Sequence, residues 1–177
     1  NATSFFIPPF QRAYAWGKPE IERYFSDVTR IIDSELDSKQ QDKLEHFFGT
    51  VVIKEEKAGF ANKSVIVDGQ QRLTTTLIFL IALRDSETDS DKVEFINQNY
   101  LTNNSSTFQD KIKLKQVTKD WDSYKALVNG LEPNPGVIGI AYELFKKLIR
   151  EKKMLNPEVV FENYITAIQR MNVAVIF

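Results

Sequence analysis

Apolar side chains recur every three or four residues in the first part of the chain, a spacing that is typical of one face of a helix. It predicts an amphipathic helix over Pro19–Leu36, and Pro19 suits the first turn because proline lacks the amide hydrogen that this turn leaves unpaired. Before it, Phe5–Phe10 contains two adjacent prolines, which fix an extended backbone. We therefore expect an extended N-terminal arm followed by a helix.

Runs of β-branched and aromatic residues mark two strands, Phe47–Lys54 and Ser64–Val67, joined by a turn or short loop at Glu55–Lys63. The second run is largely apolar, as in a strand that is covered on both faces. A helix follows over Gln71–Arg84, and its body, Leu77–Leu83, is apolar almost all round. A helix of that kind is expected to be deeply buried.

The second half of the chain has a mainly helical pattern. Asn129–Gly136 holds two prolines and two glycines and should interrupt the helices. The helices are expected at Asp91–Leu101, Thr118–Val128, Val137–Lys153 and Pro157–Met171, with strands at Lys111–Gln116 and Asn172–Phe177. The outline is an α+β fold with a small sheet near the front of the chain and packed helices behind.

The composition excludes several kinds of chemistry. The chain has no cysteine and one histidine, so it offers no disulfide, no thiol nucleophile and no histidine cluster. No apolar run is long enough to span a bilayer and no stretch resembles a signal peptide, which fits a cytoplasmic protein. With 177 residues, 42% of them hydrophobic, the chain can form one domain with a substantial core.

The formal net charge is −1, whereas a dedicated nonspecific nucleic-acid binder is usually basic. The charge is uneven, however, since residues 111–153 carry ten Lys or Arg against five Asp or Glu, and Asp85–Glu94 is acidic. Both regions are interpreted first as solvated surface. The chain starts at Asn1 and stops on an apolar run, so we expect it to belong to a longer protein.

The segment Val65–Arg72 (VIVDGQQR) combines a strand, a tight turn and the start of a helix. Gly69 lets the backbone turn sharply. The first turn of the helix then points unpaired amide groups outward, with the positive end of the helix dipole behind them. Such a helix end is suited to phosphate.

The side chains around this turn also suit a nucleotide. Arg72 can bind a phosphate through two hydrogen bonds, and Asp68 can hold Mg²⁺ or orient a water. Gln70 and Gln71 can bond a phosphate, a ribose or an attacking water, and hydroxyls follow one turn later at Thr74, Thr75 and Thr76. The alternative is a structural turn in which Asp68 caps the helix and Arg72 pairs with it. We interpret His46 as structural, with a place near the same pocket as its alternative.

A second polar cluster lies in the arm, where Gln11 and Arg12 are flanked by the aromatic residues Phe10, Tyr14 and Trp16. Aromatic rings beside an arginine can stack on a base and bind a phosphate. The alternative is that these rings fill the core. The two interpretations are compatible if the rings pack while Gln11 and Arg12 face a pocket.

These pieces occur together in one known family. Ile7–Trp16 (IPPFQRAYAW), the strand FFGTVVIK and the run VIVDGQQRLTTTLIFLIALRD that starts at Val65 resemble the N-terminal domain of GmrSD-type restriction systems. The family pattern is I-P-x-[YF]-Q-R-x-Y-x-W, then an [FY]-x-G strand, then DGQQRLTT. Lys111–Leu127 resembles a later segment of the same domain, so the resemblance covers most of the chain.

The resemblance implies a ParB/sulfiredoxin-like core at residues 1–102, in which the DGQQR turn replaces a phosphate-binding motif, and a mainly helical extension at residues 103–177. It implies binding and hydrolysis of a nucleoside triphosphate with Mg²⁺, coupled to restriction of foreign or modified DNA in bacterial phage defence. In such proteins DNA cleavage belongs to a separate C-terminal HNH-type nuclease domain or subunit. Because that domain needs several histidines, this chain alone is not expected to cleave DNA by an HNH mechanism.

We accordingly expect Asp68, Gln70 and Gln71 to act in catalysis, with Asp68 holding Mg²⁺. The residues expected to bind nucleotide are Gln11, Arg12, Gly69, Arg72, Thr74 and Thr75, and those expected to stack on a base or shape the arm are Tyr14 and Trp16. Two alternatives stay open. One is a DNA-binding, modification-sensing module that hydrolyses nothing and uses the basic region and the arm. The other is a phosphodiesterase whose own site uses Asp68 and Arg72.

Overall fold

The computed structural model describes residues 4–37, 44–58, 61–103 and 111–176. Within these ranges the chain forms a five-stranded sheet and six α-helices, which confirms the predicted α+β class. The elements in chain order are β1 (Phe5–Phe6), α1 (Lys18–Leu36), β2 (His46–Ala58), β3 (Ala61–Asp68), α2 (Gln70–Arg84), α3 (Ser90–Ile96), a π-helical turn (Asn97–Leu101), β4 (Leu114–Lys115), α4 (Thr118–Val128), α5 (Val137–Leu155), α6 (Phe161–Gln169) and β5 (Met171–Ile176).

The sheet has the strand order β4-β1-β3-β2-β5. β2 and β3 form an antiparallel hairpin, whereas β1 lies parallel to both β3 and β4, and β5 lies parallel to β2. The extended arm therefore contributes a short strand inside the sheet, with Phe5 opposite Ser64 on one side and Leu114 on the other. The C-terminal apolar run forms a strand, as its pattern predicted, and this strand pairs with β2.

The β2–β3 hairpin is longer than its sequence predicted. The two expected strands are confirmed. The prediction of a loop at Glu55–Lys63 is wrong for most of that stretch, because β2 continues to Ala58 and β3 begins at Ala61. Glu55, for example, pairs with Ser64. Exposed polar residues lack the apolar alternation from which a strand is usually recognised. Residues 59 and 60, at the tip of the hairpin, lie outside the described ranges.

Helix α2 forms the centre of the core. Its body, Leu77–Leu83, is at most 7% exposed, as the apolar pattern predicted. Phe79 contacts aromatic rings from α1, α5 and α6, at centroid distances of 5.8 Å (Tyr24), 6.3 Å (Phe25), 5.3 Å (Phe145) and 6.0 Å (Tyr164). Tilted and edge-on ring pairs of this kind stabilise a core beyond the area that they bury. The two ends of α2 are thereby held at fixed positions.

The predicted helices are confirmed, with different bounds at several of their ends. The stretch Asp91–Leu101 is α-helical only as far as Ile96 and then forms the π-helical turn. The last helix begins at Phe161 rather than at Pro157. Its start is set by Asn163, whose side chain accepts a hydrogen bond of 2.8 Å from the amide just before the helix. β4 covers two residues of the longer strand expected before α4.

Both strands that follow residue 102, β4 and β5, pair into the same sheet as β1, β2 and β3. The division into residues 1–102 and 103–177 stays a prediction, as does the ParB/sulfiredoxin-like character of the core. In the part of the chain that the structure describes, none of the helices is both long enough and apolar enough to cross a membrane.

Candidate functional site

The turn between β3 and α2 is built around Gly69, which immediately precedes the helix. Its φ of 87° is in the left-handed region. A Cβ at this position would lie 2.8 Å from the carbonyl oxygen of Thr50 in β2, so only glycine meets both conditions. The first hydrogen bond within α2 runs from the Leu73 amide to the Gly69 carbonyl, at 3.0 Å. The amides before Leu73 therefore stand at an open helix end, where an anion is stabilised.

The N-terminal arm lies against this helix end, as predicted for a site made of two distant segments. The side chain of Gln11 donates from Nε2 to the carbonyl oxygen of Val67 at 2.8 Å, across 56 residues of sequence. Gln70 donates from its Nε2 to Gln11 Oε1 and to the Arg12 carbonyl oxygen, both at 3.2 Å. The two polar motifs that the sequence singled out are thus neighbours in the fold.

An open pocket of about 480 Å³ lies where the arm meets α2. We call it the polar pocket, and its lining residues are Gln11, Arg12, Trp16, Asp68, Gly69, Gln70, Gln71 and Arg72. The lining brings two guanidinium groups together with a single carboxylate. Combined with the helix end, this excess of positive charge makes the pocket attractive to an anion such as phosphate.

The amide group of Gln71 is hydrogen-bonded to the arm at both of its ends. Its Oε1 accepts from the backbone amide of Ala15 at 2.9 Å, and its Nε2 donates to the carbonyl oxygen of Ala13 at 3.2 Å. The residue is also buried. A glutamine engaged in this way positions the arm, and the expected contact of Gln71 with a water or a phosphate stays a prediction.

The side chain of Arg72 passes over Gly49 in β2, a residue that sequence reasoning missed. Gly49 has a φ of 114°, and a Cβ there would clash with Nη1 of Arg72 and lie 3.0 Å from its Cζ. The register between β2 and β5 shifts at the same point. The glycine after Phe47 and Phe48 is visible in the sequence, but the sequence does not show that the side chain of Arg72 passes over it.

Asp68 and Arg72 form a loose pair. Asp68 Oδ2 and Arg72 Nη2 are 3.9 Å apart, and the two side chains are 68% and 30% exposed. Gly69 is the N-cap residue, and within the described ranges no side-chain hydrogen bond caps α2. The idea that Asp68 caps the helix is therefore wrong. The pairing of Asp68 with Arg72 is real, but an exposed contact of this length is weak enough for a ligand to replace.

Three residues expected at the site lie in the interior instead. Thr74 Oγ1 accepts a hydrogen bond from Gln116 Nε2 at 2.9 Å, and Thr75 Oγ1 donates to the Gln71 carbonyl oxygen at 2.8 Å. The Tyr14 hydroxyl is 2.8 Å from Thr75 Oγ1, and burial raises the pKa of Tyr14. These side chains do not line the polar pocket, because Thr74 and Thr75 lie on the buried face of α2 and Tyr14 of the arm packs against that face.

Two other aromatic residues of the arm remain accessible. Trp16 lines the polar pocket and meets Phe48 edge-on, with the ring centroids 6.5 Å apart. Phe10, next to Gln11 in the sequence, is 86% exposed. The arm therefore combines both sequence interpretations, because Tyr14 packs into the core while Gln11 and Arg12 border a pocket.

Asp120 in α4 also supports the arm, and sequence reasoning did not single it out. Its Oδ2 accepts a hydrogen bond from the Tyr14 amide at 2.6 Å. Burial raises the pKa of Asp120, although this hydrogen bond opposes the shift. The only sequence signal was its place in Lys111–Leu127, a segment that resembles the family but carries no motif of obvious chemistry.

His46 lies away from the polar pocket. Its Nε2 is 3.4 Å from Asp27 Oδ2, and its backbone amide donates to the Arg170 carbonyl oxygen at 3.2 Å. These contacts support the structural interpretation of His46. Across the described residues, no group of three or more His, Asp or Glu is placed to hold a metal ion. A Mg²⁺ ion at Asp68 would therefore share its coordination with phosphate oxygens and water, which is usual for this ion.

Comparison with models of protein families matches residues 1–176 to the model described as GmrSD restriction endonuclease, N-terminal domain. The match includes the arm, the residues of the polar pocket and all the described strands and helices, and it confirms the resemblance noted from the motifs. A comparison with individually curated proteins gave no match.

Proposed function

Because the chain belongs to the family of N-terminal domains of GmrSD restriction endonucleases, we propose that its polar pocket binds and hydrolyses a nucleoside triphosphate in the service of DNA restriction. One observation supports this proposal above the others. Two arginines from distant parts of the sequence, Arg12 and Arg72, meet at the open N-terminal end of α2. Guanidinium groups and free backbone amides in one pocket are a typical combination for binding phosphate.

The two arginines play different parts in this proposal. Arg72 is held in place over Gly49, so its guanidinium loses little conformational freedom when it binds a phosphate. Arg12 is exposed at the edge of the pocket and can close over a bound phosphate. Trp16 and Phe10 are the rings on which a base would stack.

Hydrolysis of a triphosphate depends on positioning and charge stabilisation rather than on a covalent nucleophile. Asp68, at the end of β3, would hold Mg²⁺ together with phosphate oxygens, and the bound ion neutralises charge that develops on the phosphates. Both hydrogen bonds of Gln70 use its Nε2. Its Oε1 is therefore the oxygen that would accept a hydrogen bond from the attacking water.

DNA cleavage itself is assigned, in this proposal, to an HNH-type nuclease domain or subunit outside this chain. An HNH site needs several histidines, whereas His46 is the one histidine of the sequence and pairs with Asp27. The domain described here would then act as the nucleotide-dependent part of the enzyme, and foreign or modified DNA would be the substrate of the whole protein.

A nucleotide titration tests the proposal. We expect Arg72→Ala to weaken binding of a nucleoside triphosphate with Mg²⁺ by about ten- to a hundred-fold, because a charge-assisted hydrogen bond contributes about 1.5–3 kcal/mol. Isothermal titration calorimetry with ATP, GTP, CTP and UTP in turn measures the affinities. Arg30→Ala removes an exposed arginine from α1 and is the matched control, which should bind like the parent.

Two results would contradict the proposal. One is a folded Arg72→Ala variant that binds nucleotide as tightly as the parent, and the other is a parent chain that binds none of the four. Parallel assays separate the alternatives. A phosphodiesterase would cleave a simple phosphate diester in an Arg72-dependent manner, whereas a pure DNA-binding module would bind duplex DNA without binding or hydrolysing a nucleotide.

A further inference from the structure

A second cavity lies next to the polar pocket, between the sheet and helices α2 and α6. It has a volume of about 320 Å³, and we call it the apolar cavity because all of its lining side chains except Arg72 and Thr76 are apolar. Small-molecule sites are concave, mostly apolar and about 300–1,000 Å³ in volume. An engineered apolar cavity of about 150 Å³ stays dry and binds benzene, so this one has room for a longer apolar molecule.

The lining of the apolar cavity extends across four neighbouring strands on one face of the sheet. These strands contribute, among others, Phe5 (β1), Ile66 (β3), Val51 (β2) and Val175 (β5). Neighbouring strands are about 4.8 Å apart, so the lining is about 14 Å long in this direction. Val173 and Val175 are 39% and 47% exposed, which places the mouth of the cavity beside β5. A slender, flexible molecule that enters at this edge therefore suits the cavity better than a compact ring.

Arg72 is the lining residue that has polar capacity to spare. Thr76 Oγ1 donates to the Arg72 carbonyl oxygen at 3.0 Å and accepts from the Tyr24 hydroxyl at 3.2 Å, so this hydroxyl is engaged. Among the described residues, the guanidinium of Arg72 makes no closer ion pair than its contact of 3.9 Å with Asp68. A carboxylate can bind a guanidinium through two parallel hydrogen bonds, which are stronger than neutral ones. The ligand that matches this lining is an apolar chain with an anionic end.

We propose that the apolar cavity binds a free medium-chain fatty-acid carboxylate, whose head group pairs with Arg72 and thereby weakens nucleotide binding at the polar pocket. Arg72 lines both spaces, so an anion that arrives from either side uses the same guanidinium. Two anions at one guanidinium repel each other, and each lowers the affinity for the other by the same factor. The ligand site stands on the geometry of the cavity, whereas its effect on nucleotide rests on the proposed function.

Titration calorimetry of the 177-residue chain with octanoate tests the ligand site. Octanol has the same chain without the charge. We expect octanoate to bind at least about tenfold more tightly than octanol, because octanol cannot form the charge-assisted hydrogen bonds with Arg72. In Arg72→Met, which keeps an apolar stem, this preference should disappear. A parent chain that does not bind octanoate, or that binds octanol equally well, overturns the proposal.

A pair of variants on β5 locates the bound octanoate. Val175→Trp fills the mouth of the apolar cavity and should weaken octanoate binding at least about tenfold. Ala174→Trp adds the same ring one residue earlier, on the opposite face of the strand, and should bind octanoate like the parent. Equal losses in the two variants, or octanoate that still competes with nucleotide in Val175→Trp, would place the octanoate elsewhere and overturn the proposal.

Nucleotide titrations with and without saturating octanoate test the coupling. We expect octanoate to lower the affinity of the parent for a nucleoside triphosphate with Mg²⁺ by about five- to a hundred-fold. Val175→Trp should keep its nucleotide affinity under the same conditions. Unchanged affinity in the parent overturns the coupling. A parent that binds octanoate but no nucleotide contradicts the proposed function and leaves the ligand site standing, whereas a parent that binds nucleotide but no octanoate does the reverse.

Discussion

Helix α2 has an arginine–aspartate pair at each end, and the two pairs differ sharply. At the N-terminal end, Arg72 and Asp68 are 3.9 Å apart and both reach solvent. At the C-terminal end, Arg84 Nε donates to Asp85 Oδ1 at 2.7 Å, and Arg84 is only 4% exposed. The same two residue types therefore make an open, weak contact at one end and a closed, tight one at the other.

Arg84 uses its other N–H groups to join three elements. It donates to the carbonyl oxygens of Leu127 and Val128 at 2.7 and 2.8 Å, and to Asn97 Oδ1 at 3.0 Å. The two carbonyls belong to the last turn of α4, where a helix has no internal donors left. Arg84 thus satisfies the end of α4 and ties it to α2 and to the π-helical turn.

The comparison shows how a structural arginine and a ligand-binding arginine can be told apart on one helix. The guanidinium of Arg84 makes four hydrogen bonds to partners inside the protein and is almost fully buried, so a ligand cannot reach it. The guanidinium of Arg72 rests over a glycine and faces a carboxylate that solvent already reaches. Burial and the number of partners, rather than the presence of an acidic neighbour, separate the two roles.

Breaking the buried pair should produce the largest effect. We expect Arg84→Met to lower the free energy of unfolding by about 3–5 kcal/mol, because Asp85 loses its cationic partner and keeps only the Tyr142 hydroxyl, and the end of α4 loses the donors that Arg84 supplies. Urea unfolding followed by circular dichroism measures the change. Arg84→Lys keeps the charge without the planar fork of donors and should recover only part of the loss. A loss below about 1 kcal/mol for Arg84→Met would show that the network is dispensable.

Filling the space beneath Arg72 should rank second. Gly49→Ala places a side chain at a left-handed φ, which costs about 1–2 kcal/mol, and it also collides with the guanidinium. In a chain that already carries Arg72→Ala, only the backbone cost should remain. Unfolding of both single variants and the double variant gives the coupling between the two sites. Equal losses in the two backgrounds would mean that Arg72 does not rest on Gly49.

Removing the exposed carboxylate should leave the fold almost intact. We expect Asp68→Ala to change the free energy of unfolding by less than about 0.5 kcal/mol, as is usual for exposed ion pairs. Its turnover of nucleoside triphosphate should fall more than its affinity, because a metal or a positioned water matters most as charge develops. Phosphate release and calorimetry on one preparation measure both quantities. Asp122→Ala, an exposed aspartate of α4, is the control. Unchanged turnover in Asp68→Ala would remove Asp68 from the mechanism.

The smallest expected effect concerns pH and Asp120. Burial raises the folded pKa of Asp120 above its ordinary value of 3.8. The stability from this group is therefore fully present below about pH 4 and is lost as the pH rises through the folded pKa. Asp120→Asn keeps an acceptor for the Tyr14 amide without titrating. Relative to the parent, the variant should gain stability between about pH 4 and pH 7, measured by urea unfolding. Parallel pH profiles would contradict this.

Much of the fold could be predicted because buried segments are rich in apolar residues, and this is visible in the sequence. Leu77–Leu83 is apolar on all sides and proves to be the centre of the core. The outer part of the β2–β3 hairpin could not be predicted. Residues of this part such as Glu55 are exposed and pair through the backbone, so they do not show the alternation of apolar and polar side chains that marks a strand against a core. The π-helical turn after Ile96 was missed for a related reason, because its geometry depends on packing partners.

The site was predicted in its location more than in its details. Gly69 predicts a sharp turn, which the structure has. Arg12 and Arg72 belong to two sequence motifs that line the same pocket. The hydrogen bonds of Gln71 could not be foreseen, because an amide binds the peptide backbone of the arm as readily as it binds a phosphate. The role of Gly49 could not be predicted, because the arginine side chain that passes over it belongs to another element.

The position of β2 in the sheet has a consequence for biosynthesis. One edge of β2 pairs with β3, which follows it directly in the sequence. The other edge pairs with β5, so this pairing can form only after β5 has been synthesised more than a hundred residues later. During translation the hairpin can close early, while the outer edge of β2, including the exposed Phe47, presents unpaired backbone groups to other nascent chains. Long-range parallel pairing is slow to form. We therefore expect this domain to complete its sheet late and to benefit from chaperones during that interval.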